Sequence, residues 1–153
     1  MDVRYINPFI ESTIHVLKTM AFTTAKVGKP YLKKNEVATG DVSGVIGLIG
    51  DVKGSISVSF REECILAIVS NMFGEKMTEL NDEVKDAAGE ISNMISGQAR
   101  QKLELMGRNL KASIPIVIMG KNHTISHMTK DKIIAIPFTT DKGEFTIEVS
   151  FEE

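Results

Sequence analysis

Residues 42–60, VSGVIGLIGDVKGSISVSF, admit two readings that lead to different folds. The glycines of GLIGDVKG suggest a phosphate-cradling loop between a strand and a helix. That reading needs a lysine followed by serine or threonine, with a helix behind it. Here Lys53 is followed by Gly54, and the next residues alternate. Ile56, Val58 and Phe60 point one way; Ser55, Ser57 and Ser59 point the other. The stretch therefore reads as two strands, 42–50 and 53–60, joined by a hairpin at Gly50-Asp51.

Working outward, the flanks hold helices. Upstream, a loose helical stripe of Phe9, Ile14, Leu17, Phe22 and Ala25 predicts a helix over 8–26. Asn7 and Pro8 suit its N-cap and first turn, and Gly28 and Pro30 its end. YLKKNEVATGD (31–41) reads as loop. Downstream, Ser59 and Glu62 have capping-box spacing and open a short helix closed by Gly74. A long helix follows over 81–106, capped by Asn81, with Asp82 and Glu83 at its positive end and Gly107 as its stop. Three strands finish the chain, over 111–119, 132–140 and 143–151, the last two joined by the hairpin TDKG. The order is α-β-β-α-α-β-β-β, without the alternation that a parallel sheet requires. The expected class is α+β, with helices covering a mostly antiparallel sheet.

The 153 residues suit one domain spanning 1–153, with 42% hydrophobic and 25% charged residues. A net charge of −2 and the lack of basic runs argue against nucleic-acid binding. The only cysteine, Cys64, rules out an internal disulfide and fits a reducing cytoplasm, where it would be a buried small hydrophobe. No apolar run has the length of a membrane span, and MDVRYINPF is not a signal peptide. His123 and His127 are four apart in a predicted loop with no third ligand near them in sequence, so no metal site is expected there.

The long helix contains KDAAGEISNMISGQA (85–99). With Asp86 set at zero, Glu90 falls at about 40°, Asn93 at about −20°, Gly97 at about 20° and Arg100 at about −40°. The apolar set Val84, Ala88, Ile91 and Ile95 centres on about 170°. Asp86, Glu90, Asn93 and Gly97 thus form a row facing away from the core, with Gly89 at its edge and Met94 at its rim. A polar outer face is what any packed helix presents. A glycine in that face leaves the surface flat, so that another protein's backbone can approach.

The row has a further pattern. Asp86 is followed after three residues by Glu90, after two more by Asn93, and after twenty-one more by Pro115. With this spacing the chain resembles the CheC/CheX/FliY family of chemotaxis phosphatases, over essentially its whole length, and TELNDEVKDAAGEISNMISG looks specifically like the CheX branch. CheC-like members carry a second motif on their first helix. Here Glu11 is followed three residues later by Ile14 rather than Asn, so one site is expected.

The resemblance implies a CheC-like fold, a cytoplasmic setting and hydrolysis of the aspartyl phosphate of the response regulator CheY. It implies that Asn93 orients the attacking water, that Glu90 pairs with the regulator's lysine, and that Asp86, Met94 and Gly97 lie in the docking face. Pro115 would shape a strand edge or bulge. No cofactor is expected on this chain, and Mg²⁺ is expected in the regulator. Strand 143–151 is expected at a sheet edge, protected by pairing with a second copy, as in CheX-like homodimers, or by its acids Glu144, Glu148, Glu152 and Glu153. Two other readings are a non-catalytic adaptor on the same fold, as in flagellar switch proteins, and metal-dependent hydrolysis by Asp86 and Glu90. The fold alone does not decide between them.

Overall fold

The computed structural model describes residues 3–127 and 132–152. Its helices are α1 (Ile6–Ala21), α2 (Glu62–Phe73) and α3 (Asp82–Leu105), with a 3-10 turn at Val3–Tyr5. Its strands are β1 (Lys26–Val27), β2 (Tyr31–Lys33), β3 (Val42–Gly50), β4 (Lys53–Phe60), β5 (Leu110–Ala112), β6 (Ile116–Met119), β7 (Ile133–Thr140) and β8 (Gly143–Glu152). They form one sheet in the order β1-β7-β8-β4-β3-β5, with β2 also on β7 and β6 also on β3, and every pairing is antiparallel.

Strand register explains the core. Val42, Phe60, Phe145 and Phe138 stand opposite one another across β3, β4, β8 and β7. Ile46, Ile56, Val149 and Ile134 form a parallel rung. Shifting any strand by one residue would turn these rows to the wrong face. The aromatic rung is tied by ring contacts of 4.9 Å between Phe138 and Phe145 and 5.4 Å between Phe145 and Phe60. Phe9, Val16 and Leu17 of α1 and Val84, Ile91 and Ile95 of α3 close over this face and are buried.

The serine face of the sheet is buried as well. Residues 34–41 and 120–127 pair with each other, through Ala38 N–H to His123 O and Ile125 N–H to Glu36 O, and His123 and His127 bond to that face. His123 Nε2 lies 2.6 Å from Ser43 Oγ, which is itself 2.6 Å from Ser59 Oγ. His127 Nδ1 lies 2.5 Å from Ser55 Oγ, and its Nε2 lies 3.1 Å from Glu148 Oε1. Lys33 Nζ reaches the other Glu148 oxygen at 2.5 Å. The two histidines thus have structural partners on the sheet.

Several expectations are corrected. Helix α1 starts at Ile6 and ends at Ala21, so Asn7 and Pro8 lie inside its first turn, and Phe22 at φ 49° stops it. The predicted loop 31–41 contributes β2, while β1 and β2 take the outer edge of β7 on either side of Gly28. Ser59 does not cap α2. Its hydroxyl bonds to Ser43, and Asp41 Oδ2 accepts the Glu62 N–H instead, at 2.9 Å. Asn81 does cap α3, accepting the Val84 N–H at 3.0 Å. Strand β8 is not an edge: β4 and β7 flank it, and Glu148 on it is buried. Of its acids, Glu153 lies outside the described residues. The predicted strand 111–119 is divided at Ser113–Pro115 into β5 and β6, both on β3, with Pro115 at the break as its missing N–H requires.

Candidate functional site

Helix α3 lies over β3, β5 and β6, and one contact fixes its roll. Gly44 of β3 sits beneath Ser92, whose hydroxyl donates to Ala88 O at 2.8 Å. A Cβ on Gly44 would stand 2.2 Å from Ser92 Oγ and 2.8 Å from Ser92 Cβ, so only glycine permits this approach. With Ser92 held against the sheet, Asn93 lies about 100° around the helix and Glu90 about 160°. Both are exposed, and Asp86 is exposed with them.

Gly97 and Met94 are half-buried rather than open. They line a groove of about 850 Å³ between the second half of α3 and the β3–β5 edge, together with Arg100, Ile49 and Lys111. Arg100 folds back along the helix, its Nη2 3.8 Å from the place of a Gly97 Cβ. Its Nε is buried with no hydrogen-bond partner among the described residues. The groove has no trace in the sequence pattern, because β5 is three residues long and its approach to α3 is a tertiary event.

Gly89 does not belong to the exposed row. It is buried, and an added Cβ would meet Val117 Cγ2 at 3.1 Å. Strand β6 passes there, so the buried arc of α3 is wider than its apolar residues indicate. Pro115 precedes that strand and is half-buried. On α1, Glu11 makes an ion pair with Lys102 of α3 at 3.2 Å. Where a second motif would stand, there is a surface contact between helices.

Other candidates separate from this face. Cys64 is buried, and burial pushes its thiol up to about 11, far from a reactive thiolate. Among the described residues no group of three or more His, Cys, Asp or Glu is gathered closely enough to hold a metal ion. No helix among them is long and apolar enough to cross a membrane. What α3 presents to solvent on its outer side is a carboxamide, Asn93, and a carboxylate, Glu90.

Comparisons with known proteins show the family to which this fold belongs. Residues 42–139 match the family described as chemotaxis phosphatase CheX. The CheY-P phosphatase CheX of Thermotoga maritima is 31% identical over 123 residues, covering 80% of this chain and 79% of that protein. A crystal structure of the chemotaxis protein CheX from Desulfovibrio desulfuricans is 50% identical with a TM-score of 0.91, covering 97% of this chain and 99% of that one. A Borrelia burgdorferi complex of CheX with CheY, BeF₃ and Mg²⁺ aligns at 28% identity and a TM-score of 0.84, covering 99% and 100%. The chain belongs to the CheX family of chemotaxis phosphatases.

Proposed function

We propose that this chain accelerates dephosphorylation of the response regulator CheY-P by inserting Asn93 and Glu90 into the regulator's active site. The observation that carries the reading is the joint exposure of these two side chains on a helix whose opposite side is locked to the sheet. The CheY partner of the Borrelia burgdorferi relative supports it.

The substrate bond is an acyl phosphate. Hydrolysis needs a water in line behind phosphorus: its oxygen forms the new P–O bond, the aspartate carboxylate leaves with the electrons of the old one, and inorganic phosphate is released. Such transfers depend chiefly on positioning and electrostatics. The Asn93 amide both donates and accepts hydrogen bonds, so it can hold the water with a lone pair toward phosphorus. It is too weak a base to remove the proton, and its role is orientation. Glu90 pairs with the regulator's lysine and sets the docking register. Asp86, Met94 and Gly97 contribute to docking, and Pro115 shapes the neighbouring strand. Mg²⁺ belongs to the regulator's site, and this chain brings no cofactor of its own. The setting of this partnership is the cytoplasm, and the whole chain acts as one domain.

We further propose a homodimer through the open edge of β6. Among the described residues that strand pairs only with β3; Ile116 at its start is 66% exposed and Ile114 just before it 87%. An unpaired edge with exposed isoleucines is a template for another strand.

The deciding experiment is phosphate release from purified CheY-P with and without this protein. Acceleration that disappears in Asn93→Ala supports the reading. Binding of CheY-P with no change in its decay would replace it with the adaptor function.

A further inference from the structure

A second cavity lies away from the α3 face, and the proposed phosphatase reaction does not use it. It measures about 860 Å³ and is bounded by the C-terminal end of α1, by α2 and the segment after it, and by the β7–β8 turn. None of its lining residues lines the groove beside Asn93.

Three observations characterise it. Its walls are tied before any ligand arrives: Asn71 Nδ2 donates to Thr23 Oγ1 at 3.2 Å, and Ser70 Oγ accepts the Met77 N–H at 2.8 Å. Lys26, Lys76 and Lys142 line it, and none has a carboxylate partner among the described residues. The one acid in its lining is Asp141. Finally, Phe22 stands at the cavity 81% exposed, with its backbone left-handed at φ 49° and ψ 33°. Helix ends of that geometry favour glycine or asparagine, and a bulky residue there is an outlier. Neither core packing nor backbone preference accounts for a phenylalanine at this position.

We infer that this cleft binds a nucleotide-class ligand, its planar base against Phe22 and its phosphates among Lys26, Lys76 and Lys142. An exposed ring offers a stacking surface to a base. Ammonium groups are point charges suited to phosphate oxygens. The cavity falls within the size range of small-molecule sites.

The test uses the full chain, which lacks tryptophan and gives little fluorescence background. Methylanthraniloyl-ADP is titrated, then displaced by unlabelled ADP, adenosine or pyrophosphate. The expected result is displacement by ADP, with adenosine and pyrophosphate each at least tenfold weaker. The double variant Lys76→Ala/Lys142→Ala should lose at least tenfold in ADP affinity. Phe22→Gly should lose a similar factor while its thermal midpoint holds or rises, since glycine adopts that backbone freely. Asn93→Ala should bind ADP like the parent chain, which keeps this site separate from the phosphatase reading. No displacement by ADP, pyrophosphate as tight as ADP, or unchanged affinity in Phe22→Gly would overturn the assignment.

Discussion

At the scale of single residues, Asn93 and Glu90 stand exposed on α3 in the row that Asp86 begins. His123, His127 and Glu148, in contrast, are each held by named partners. Removing an exposed amide costs little stability, about 0.5 kcal/mol or less. Asn93→Ala should therefore melt like the parent chain and bind CheY-P within a few-fold. It should still lose most of the stimulated phosphate release, about a hundredfold or more if water orientation is its main task. Glu90→Ala should lose binding and rate together. Stopped-flow release of phosphate beside a binding titration separates the two roles, and a Glu90→Ala protein that docks normally would refute the register assigned to that side chain. The row was legible because a helix turns by a fixed angle per residue, so spacing alone places Asp86, Glu90 and Asn93 together. Gly89 was misplaced because β6 approaches from the side, and no local pattern records that.

At the scale of elements, the strands of the hairpins were readable from alternation and turn residues, and α3 from its cap and apolar stripe. Strands β1 and β2 were not, since two or three residues cannot display a period. The cap of α2 was misread for a related reason: Ser59 has the right spacing, but its hydroxyl serves the sheet and Asp41 supplies the cap from a distant loop. The seat of α3 is the element-level feature with most bearing on activity. Gly44→Ala would force its new methyl into Ser92, whose oxygen lies 2.2 Å and whose Cβ lies 2.8 Å from it. Overpacking of this kind costs about 1–3 kcal/mol, and rolling α3 would also re-aim Asn93. Ser92→Ala should not rescue the variant, because the Cβ clash remains, whereas Ser92→Gly should. Thermal unfolding and phosphate release of the three proteins test this, and full rescue by alanine would contradict the proposed contact. The β6 edge gives a second element-level test. Ile116→Lys should shift the sedimentation profile from dimer to monomer without unfolding the chain, and an unchanged profile would remove this edge from the assembly.

At the scale of the molecule, the sequence reading anticipated helices covering a mostly antiparallel sheet and named no cover for the face that carries the serines. The structure covers that face with the paired segments 34–41 and 120–127, laid over serines and anchored through Glu148. Alternating serines look solvent-facing in a sequence; here they are buried, and Ser55 bonds to His127 while Ser59 reaches His123 through Ser43. Lys33, Glu148 and His127 join three distant parts of the chain at side-chain exposures of 5%, 1% and 1%. Burial by itself would raise the Glu148 carboxyl, but hydrogen bonds from His127 and Lys33, with the attraction of their charges, outweigh it and hold the group below its ordinary value. A carboxyl depressed in the folded state adds stability that is fully present above its unfolded value and disappears as pH falls through the folded one. Stability should therefore decline on acidification through and below the ordinary carboxylate range. At neutral pH, Glu148→Gln leaves the Lys33 ammonium buried without a counter-charge, a loss of about 3–5 kcal/mol. The same variant should have a flatter acid limb, because the titrating group is gone. Urea unfolding across a pH series measures both effects, and parallel acid limbs for the parent chain and Glu148→Gln would show that the second layer is held by something other than this carboxylate.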